Sequence, residues 1–286
     1  LLQMSIFLIG LGGGVLNGET NALASDISEP HEKGTRLSIL GVFYGVGAIS
    51  IPMLLRFLSA YYSYNQILNG LGAIMLIAIF FFMAVSFPAP KQAKGFPIKK
   101  GIGLLKEKGL LLLSFMLFFQ SGIEVCCSTW TTSYFKQVTE ITPAQGLTAL
   151  TLMIIGLSLS RIVLAVVYRT VKQEKVLPYS LIIGIVGFGL LTNSPDYLRA
   201  YAGMFLIGAG LAATFPTILS LIGGMFAELS GTAFSIALAV GICGQIVFNY
   251  STGALSQVFG IQLFPYLMIS GIVLMLILFK IKTSLK

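Results

Sequence analysis

Nine stretches of mostly apolar residues follow one another along the chain, and they limit its fold more than any other feature. A helix that crosses a bilayer needs about 20 such residues and satisfies its own backbone hydrogen bonds in lipid. Long continuous runs indicate helices, because the strands of a membrane barrel alternate apolar and polar residues. The sequence therefore predicts an all-α polytopic membrane protein with spans near 1–25, 37–60, 66–87, 109–134, 146–168, 176–193, 200–226, 232–257 and 263–280.

A repeated pattern indicates that the chain contains duplicated units. The Phe-Leu-Ile-Gly sequence at 7–10 returns at 205–208, and the Gly-Thr-x-x-Ser sequence at 34–38 returns at 231–235. The two offsets, 198 and 197 residues, are nearly equal. Two parallel repeats in an apolar chain are typical of transporters whose substrate lies between two homologous half-bundles.

The repeat also predicts a domain organisation. If the second repeat opens near Gly109, the first opens upstream of Leu1, with room for three more spans. The nine spans then correspond to helices 4 to 12 of a twelve-helix protein. We expect the last three helices of the first half-bundle within 1–87, a basic cytoplasmic linker at 88–108, and the six-helix second half-bundle at 109–286.

Lysine and arginine predict the orientation in the membrane. Of the 18 such residues, only Arg56, Lys136 and Arg199 fall on one side of the predicted bundle. Because basic residues collect in cytoplasmic loops, the other side, which carries the C-terminus, is expected in the cytoplasm. The net charge of +8 thus follows from topology and requires no nucleic-acid partner. We expect membrane lipid around the helices and a cell membrane location, that of a bacterial inner membrane.

Two carboxylic acids, Glu19 and Glu124, lie inside apolar spans. A charge at the bilayer centre costs about 3 kcal/mol on insertion scales, so such residues usually face a polar cavity on an ion or substrate path. Both are therefore candidates for carrying a proton. A structural hydrogen bond to a neighbouring helix is the alternative for each.

Polar side chains form a stripe along one face of the fourth predicted span and along one face of the eighth. Gln120 and Glu124 recur at helical spacing in the fourth span, and Gln245 and Asn249 do so in the eighth. Amide side chains of this kind can hydrogen-bond the hydroxyl groups of a sugar. These stripes are candidates for lining a substrate cavity.

The first span adds two asparagines. Asn17 and Asn21 share one face, whereas Glu19 lies about 200° around the helix from Asn17, so the three cannot face one cavity. Trp130 and Tyr134 lie near the outer end of the fourth span. They are expected either to stack on a sugar ring or to anchor the helix at the interface.

Several motifs together resemble one transporter family. The motifs are Gly10-Leu11-Gly12, Asn17-Gly18-Glu19-Thr20-Asn21, Gly45-Val46-Gly47-Ala48 with Pro52, Gly122-Ile123-Glu124 with Trp130 and Tyr134, Gly156 to Arg161 with Arg169, and Phe215-Pro216-Thr217-Ile218 with Ser220-Leu221. By these motifs the whole chain resembles the major facilitator superfamily, and most closely its fucose-permease-like branch of sugar–proton symporters.

The resemblance implies alternating access by two rocking half-bundles. Arg161 and Arg169 resemble the superfamily's glycine-arginine loop motif, with Ser160 in place of the usual glycine, which implies a gating role through charge pairs. Extension of these side chains to the interface is the alternative. Where relatives carry an acid four places before Asn21, this chain has Asn17. Either Glu19 takes that role, or an acid upstream does, or the coupling differs.

Other chemistry finds little support in the sequence. No metal-ligand spacing, phosphate-binding glycine loop or catalytic acid-base set is visible, so no cofactor, metal or enzyme activity is expected. The favoured function is a secondary active transporter of a small hydrophilic solute, a monosaccharide before others, coupled to protons. The alternatives are a non-transporting solute sensor or scaffold of the same fold, a transporter of another solute and, less favoured, a polytopic membrane enzyme.

Overall fold

A computed structural model describes residues 2–29, 31–58, 61–88, 98–139, 141–193 and 196–284. These ranges contain helices and no strand, which confirms the all-α prediction. The helices are α1 Leu2–Asp26, α2 Lys33–Leu58, α3 Tyr64–Ala84, α4 Ile98–Leu104, α5 Lys108–Val138, α6 Pro143–Val167, α7 Gln173–Leu190, α8 Tyr197–Leu211, α9 Thr214–Met225, α10 Ser230–Phe259 and α11 Phe264–Ser284.

The helices follow the predicted spans in order. Six segments of the described chain are long and apolar enough to cross a membrane, namely Tyr64–Ala84, Lys108–Val138, Gln145–Val167, Tyr197–Met225, Ala227–Phe259 and Ile261–Ser284. Helices α1, α2 and α7 account for the other three predicted spans. The short α4 lies in the predicted linker, of which residues 89–97 lie outside the described residues.

The predicted seventh span consists of two helices. Helix α8 ends at Leu211 and α9 begins at Thr214. Pro216 explains the interruption, because proline has no amide N–H and its ring crowds the carbonyl four residues earlier, at Ala212. Just before the interruption, the N–H of Ala212 donates to the carbonyl of Ala209, three residues back rather than the four of an α-helix. The sequence thus places a helix boundary inside a membrane segment.

The chain divides into two compact units, residues 46–97 and the rest. The smaller unit holds the second part of α2 and all of α3. Helix α3 begins with a capping box, in which Ser63 and Gln66 satisfy each other's backbone N–H groups. Among its buried positions is Ile67.

The larger unit has its core among α5 to α11. Phe188, Phe234 and Phe264 are fully buried there. Glycines let the helices approach closely: a Cβ at Gly244 of α10 would overlap the backbone carbonyl of Phe118 on α5. Small residues at such crossings are the usual way in which membrane helices pack tightly.

One end of the larger unit, where α1, α6, α9 and α11 end and α2, α5, α7 and α10 begin, carries most of the described lysines and arginines; we name it the basic end. Lys33 is 7% exposed and donates a hydrogen bond to the carbonyl of Gly223 at 2.7 Å. Ser230 donates to a carboxylate oxygen of Asp26 at 3.0 Å. These contacts join α1 and α2 to α9 and α10 at this end.

Both copies of the repeated Gly-Thr-x-x-Ser sequence lie at the basic end. In each copy the glycine is the second residue of its helix, α2 in one case and α10 in the other. The copies of the Phe-Leu-Ile-Gly sequence lie in α1 and α8. The motifs thus lie in corresponding helices, as two parallel repeats require, while the division into half-bundles stays a prediction.

Candidate functional site

Glu124 lies half-buried on α5 and is held by its neighbour one turn away. The amide nitrogen of Gln120 donates a hydrogen bond to a carboxylate oxygen of Glu124 at 3.1 Å. Gln120 is fully buried, and its amide oxygen has no hydrogen-bond partner among the described residues. The carboxyl group therefore sits in the interior of the bundle beside a polar atom that can still accept a hydrogen bond.

Arg161 of α6 faces this carboxyl group from the next helix. It is 4% exposed, and its guanidinium donates to the backbone carbonyl of Gly41 on α2 at 3.1 Å. Its charge interacts electrostatically with Glu124 and with the hydroxyl of Tyr44 on α2. We name Gln120, Glu124, Arg161 and Tyr44 the acid cluster. It brings α2, α5 and α6 together around one acid and one base.

Arg161 reaches α2 because that helix presents glycines to α6. A Cβ at Gly41 would lie 2.6 Å from a guanidinium nitrogen of Arg161, and one at Gly45 would overlap the hydroxyl of Ser158. The side-chain nitrogen Nε of Arg161 has no partner in the described part of the chain. A buried guanidinium is strongly destabilising when no opposite charge compensates it.

Trp130 and Asn249 form a second polar group. The indole N–H of Trp130 on α5 donates to the side-chain oxygen of Asn249 on α10 at 3.1 Å. Asn249 in turn donates to the backbone carbonyl of Gln245 at 3.0 Å, and all three side chains are half-buried. We name Trp130, Gln245 and Asn249 the indole–amide group. Trp130 and Glu124 lie six residues apart, about 120° around α5, so the two groups occupy different faces.

The candidates on α1 divide as their spacing predicts. Asn21 is buried and donates to both the backbone and side-chain oxygens of Asn17, at 2.7 and 2.9 Å. Glu19 is exposed and makes no hydrogen bond or ion pair with a described residue. The structure therefore places Glu124, and not Glu19, within electrostatic range of a buried basic side chain.

Tyr134 and Arg169 belong to neither group. Tyr134 is 1% exposed, packs on Phe264, and donates its hydroxyl to the backbone carbonyl of Leu191. Arg169 is exposed at the basic end, where it lines a cavity of about 1020 Å³. Within the described residues, no group of three or more His, Cys, Asp or Glu side chains is arranged so that it could hold a metal ion.

Sequence reasoning missed Tyr44 and the buried part of the basic end. Tyr44 follows Phe43 in an apolar helix, and nothing in the local sequence marks it. Gly34, Ser38, Gly41 and Gly45 follow helical spacing, and this stripe of small residues is a readable signal for close packing. In the sequence, Lys33 is one of many basic residues near a helix start, and nothing there distinguishes it.

The fold is similar to two solved transporter structures. One is a crystal structure of the major facilitator superfamily transporter FucP in the outward conformation, and the other is of the E. coli fucose:proton symporter FucP. Each aligns with a TM-score of 0.79 and 17% identity over 98% of this chain, covering 77% and 78% of the FucP chains. This likeness establishes the fold. None of the curated proteins compared with the sequence matches it.

The sequence profile of the Major Facilitator Superfamily matches residues 1–197, more than half of the chain. Together with the fold, this match confirms the family expected from the motifs. Members of this family are secondary transporters built from several membrane-spanning helices, with lipid around them and a small solute within. The chain therefore belongs to the Major Facilitator Superfamily, and it is a multi-pass membrane transporter rather than an enzyme.

Proposed function

We propose that this transporter carries a small hydrophilic solute, a monosaccharide, together with a proton, and that Glu124 is the proton carrier. The observation that carries the proposal is the acid cluster, where a half-buried carboxyl group faces the buried cation Arg161. Ionisable residues inside a membrane protein usually mark the path of an ion or substrate. Glu19 lacks a comparable neighbour among the described residues, which favours Glu124 of the two candidates.

The cluster offers a way for proton binding to change the shape of the bundle. With Glu124 ionised, its negative charge stabilises the Arg161 guanidinium, which holds the carbonyl of Gly41. A proton on Glu124 removes that charge and leaves a buried cation without compensation, which is strongly unfavourable. Arg161 would then move toward water and release α2. Proton binding would thereby loosen the contact between α2 and α6.

The indole–amide group supplies the chemistry for the solute. A flat indole can stack on the apolar face of a sugar ring, and the amides of Asn249 and Gln245 can bond its hydroxyl groups. Asn17, Asn21 and Gln120 remain proposed cavity residues by the same reasoning. With 1–87 in the first half-bundle and 109–286 in the second, these residues come from both halves, as a midplane site requires.

Two further features fit alternating access in a bacterial inner membrane. Basic residues favour the cytoplasm, so the basic end is assigned to that side, together with the C-terminus. Contacts such as Lys33 to Gly223 join the two proposed halves at this end, which supports an outward-facing state. One of the similar FucP structures was solved in the outward conformation. Arg161, and Arg169 at the same end, are proposed to take part in gating.

The proposal is tested by uptake into proteoliposomes that contain the full-length protein. A panel of hexoses, pentoses and deoxysugars is offered with and without an inward proton gradient. We expect one sugar to accumulate only with the gradient. Uptake that ignores the gradient would contradict proton coupling. No uptake of any sugar would contradict the sugar assignment and favour another solute or a non-transporting sensor.

Weakening the indole–amide group should weaken solute binding. Asn249→Ala removes an amide and Trp130→Phe removes the indole N–H and one ring of the stacking surface, so we expect each to raise the KM for uptake by about tenfold, which corresponds to about 1.4 kcal/mol. Since the two side chains are hydrogen-bonded to each other, the double variant should lose less binding free energy than the sum of the losses in the two single variants. Uptake kinetics measure all three. An unchanged KM for Asn249→Ala would remove this group from the site.

A further inference from the structure

A large cavity opens at the basic end, away from the acid cluster and the indole–amide group. Its volume is about 1020 Å³, which is close to that of pockets that hold small molecules. Its walls are the start of α5, the connection from α6 to α7, the end of α9, the end of α11 and His31 from the connection between α1 and α2. We name it the basic cavity. None of the proposed proton or solute residues lines it.

Cations outnumber anions in this cavity. Its walls carry two carboxylates, Glu107 and Glu174, against five basic side chains: Lys106, Lys108, Arg169, Lys172 and Lys282. Lys282 is buried and forms an ion pair with Glu174 at 2.8 Å. The other four basic side chains have no carboxylate partner among the described residues. A concentration of unpaired positive charge in a concave site attracts an anionic ligand.

Two helices begin at the walls of the cavity. Helix α5 follows Glu107 and helix α7 follows Lys172, and neither of these residues caps the helix with a side-chain hydrogen bond. The first amide N–H groups of a helix have no partner within it and form a positive pole. Lys108 and Lys172 therefore add positive charge where a helix already disfavours it. A bound anion would offset both effects and accept hydrogen bonds from these amides.

Ser220 supplies a separate observation from the wall of α9. It is 7% exposed and lines the cavity, and its hydroxyl oxygen, which is open to the cavity, has no hydrogen-bond partner in the described part of the chain. A hydroxyl left unpaired on the wall of a positively charged cavity is placed to donate to an oxygen atom of a ligand.

Membrane topology explains part of this pattern but not all of it. Cytoplasmic loops gather lysine and arginine because of insertion, without any need for those residues to meet. Lys175 and Lys280 fit that account, since they are exposed and lie outside the cavity. A bound anion would account for the convergence of four unpaired cations, two helix starts and an unpaired hydroxyl on one cavity.

We propose that the basic cavity binds a phosphate group, carried either by a small soluble phosphate compound or by the headgroup of an anionic phospholipid. Phosphate oxygens accept several hydrogen bonds at once and are bound well by arginine, lysine and helix N-termini. Helix α9 and the α6–α7 connection both line the site. A bound phosphate group would therefore affect the contacts that these two segments make at the basic end. The proposal stands independently of the transported solute, because binding is measured without transport.

The test uses the full-length protein in nanodiscs of phosphatidylcholine, titrated with inorganic pyrophosphate at constant ionic strength. Calorimetry reports the affinity, and thermal unfolding reports stabilisation by the ligand. The variant Arg169→Gln/Lys172→Gln removes two cavity cations. The matched control Lys175→Gln/Lys280→Gln removes the same charge from exposed positions outside the cavity. We expect the cavity variant to bind pyrophosphate about tenfold more weakly or worse, and the control to bind as the parent does.

Each outcome decides for or against the site. If the cavity variant and the control lost affinity for pyrophosphate equally, binding would reflect net charge only, and the proposal would be overturned. If the cavity variant does not fold, Lys108→Gln against Lys280→Gln repeats the comparison. A second series replaces part of the phosphatidylcholine by phosphatidylglycerol. Stabilisation of the parent by this lipid, lost in the cavity variant, with no response to pyrophosphate, would assign the site to a headgroup. No response to either probe overturns it.

Discussion

Glu124→Gln is expected to abolish proton-driven accumulation of the solute while leaving exchange of solute across the membrane intact. Glutamine has nearly the same size and shape as glutamate and can still form hydrogen bonds, but it cannot gain or lose a proton. In this variant the side chain facing Arg161 is permanently neutral, so the proposed step that couples proton binding to release of α2 is lost. Uptake into proteoliposomes under a proton gradient measures accumulation, and preloaded vesicles measure exchange.

Two controls separate this effect from a general loss of the protein. Glu29→Gln changes a mostly exposed loop carboxylate and should accumulate solute as the parent does. Glu19→Gln tests the other intramembrane acid, and we expect it to retain accumulation because Glu19 has no basic neighbour among the described residues. Full accumulation by Glu124→Gln, or loss in Glu19→Gln alone, would move the proton carrier away from the acid cluster.

Gly244→Ala should strongly lower the stability of the protein although it adds only one methyl group. The added carbon would overlap the backbone carbonyl of Phe118, and a backbone atom cannot turn aside as a side chain can. Helices α5 and α10 would have to separate along their contact. Overpacking of this kind costs about 1–3 kcal/mol, and contact with backbone places the expected value at the upper end.

Thermal unfolding in detergent measures this loss, with Gly189→Ala as the matched control. Gly189 lies in α7, is exposed, and a Cβ there meets no atom within 4 Å. The same change at this position should leave the unfolding temperature unchanged or slightly raised, since alanine favours helix more than glycine does. Similar unfolding temperatures for both variants would mean that α5 and α10 do not meet at Gly244.

The helices themselves are readable from the sequence because the bilayer sets one strong rule. Each predicted span needs only length and apolar character, and α5, α10 and α11 begin within a few residues of the predicted ranges. Pro216 likewise indicates a disturbed helix, since the missing N–H acts locally. The stripe that joins Gln120 to Glu124 is predictable for the same reason, because both residues lie on one helix.

What the sequence does not reveal depends on how helices meet. The sequence places Arg161 near the end of its span, with extension to the interface as one alternative, yet the residue is buried because Gly41 opens a space for it on α2. Lys33 is buried and donates a hydrogen bond to the carbonyl of Gly223. Neither partner is near in sequence, since 120 and 190 residues separate them. The spacing of residues in a sequence predicts which face of its own helix a residue occupies. It does not predict which face of another helix packs against it.

The interruption between α8 and α9 has a mechanical consequence. Residues 212–213 connect the two helices at a point where the regular α-helical hydrogen bonds are interrupted, and such connections can act as hinges. Helix α9, only 12 residues long, carries both the carbonyl that Lys33 holds and the hydroxyl of Ser220 in the basic cavity. A rotation of α9 about this hinge would break the Lys33–Gly223 hydrogen bond and change the shape of the basic cavity at the same time. An anion bound in the cavity would therefore oppose opening of the basic end.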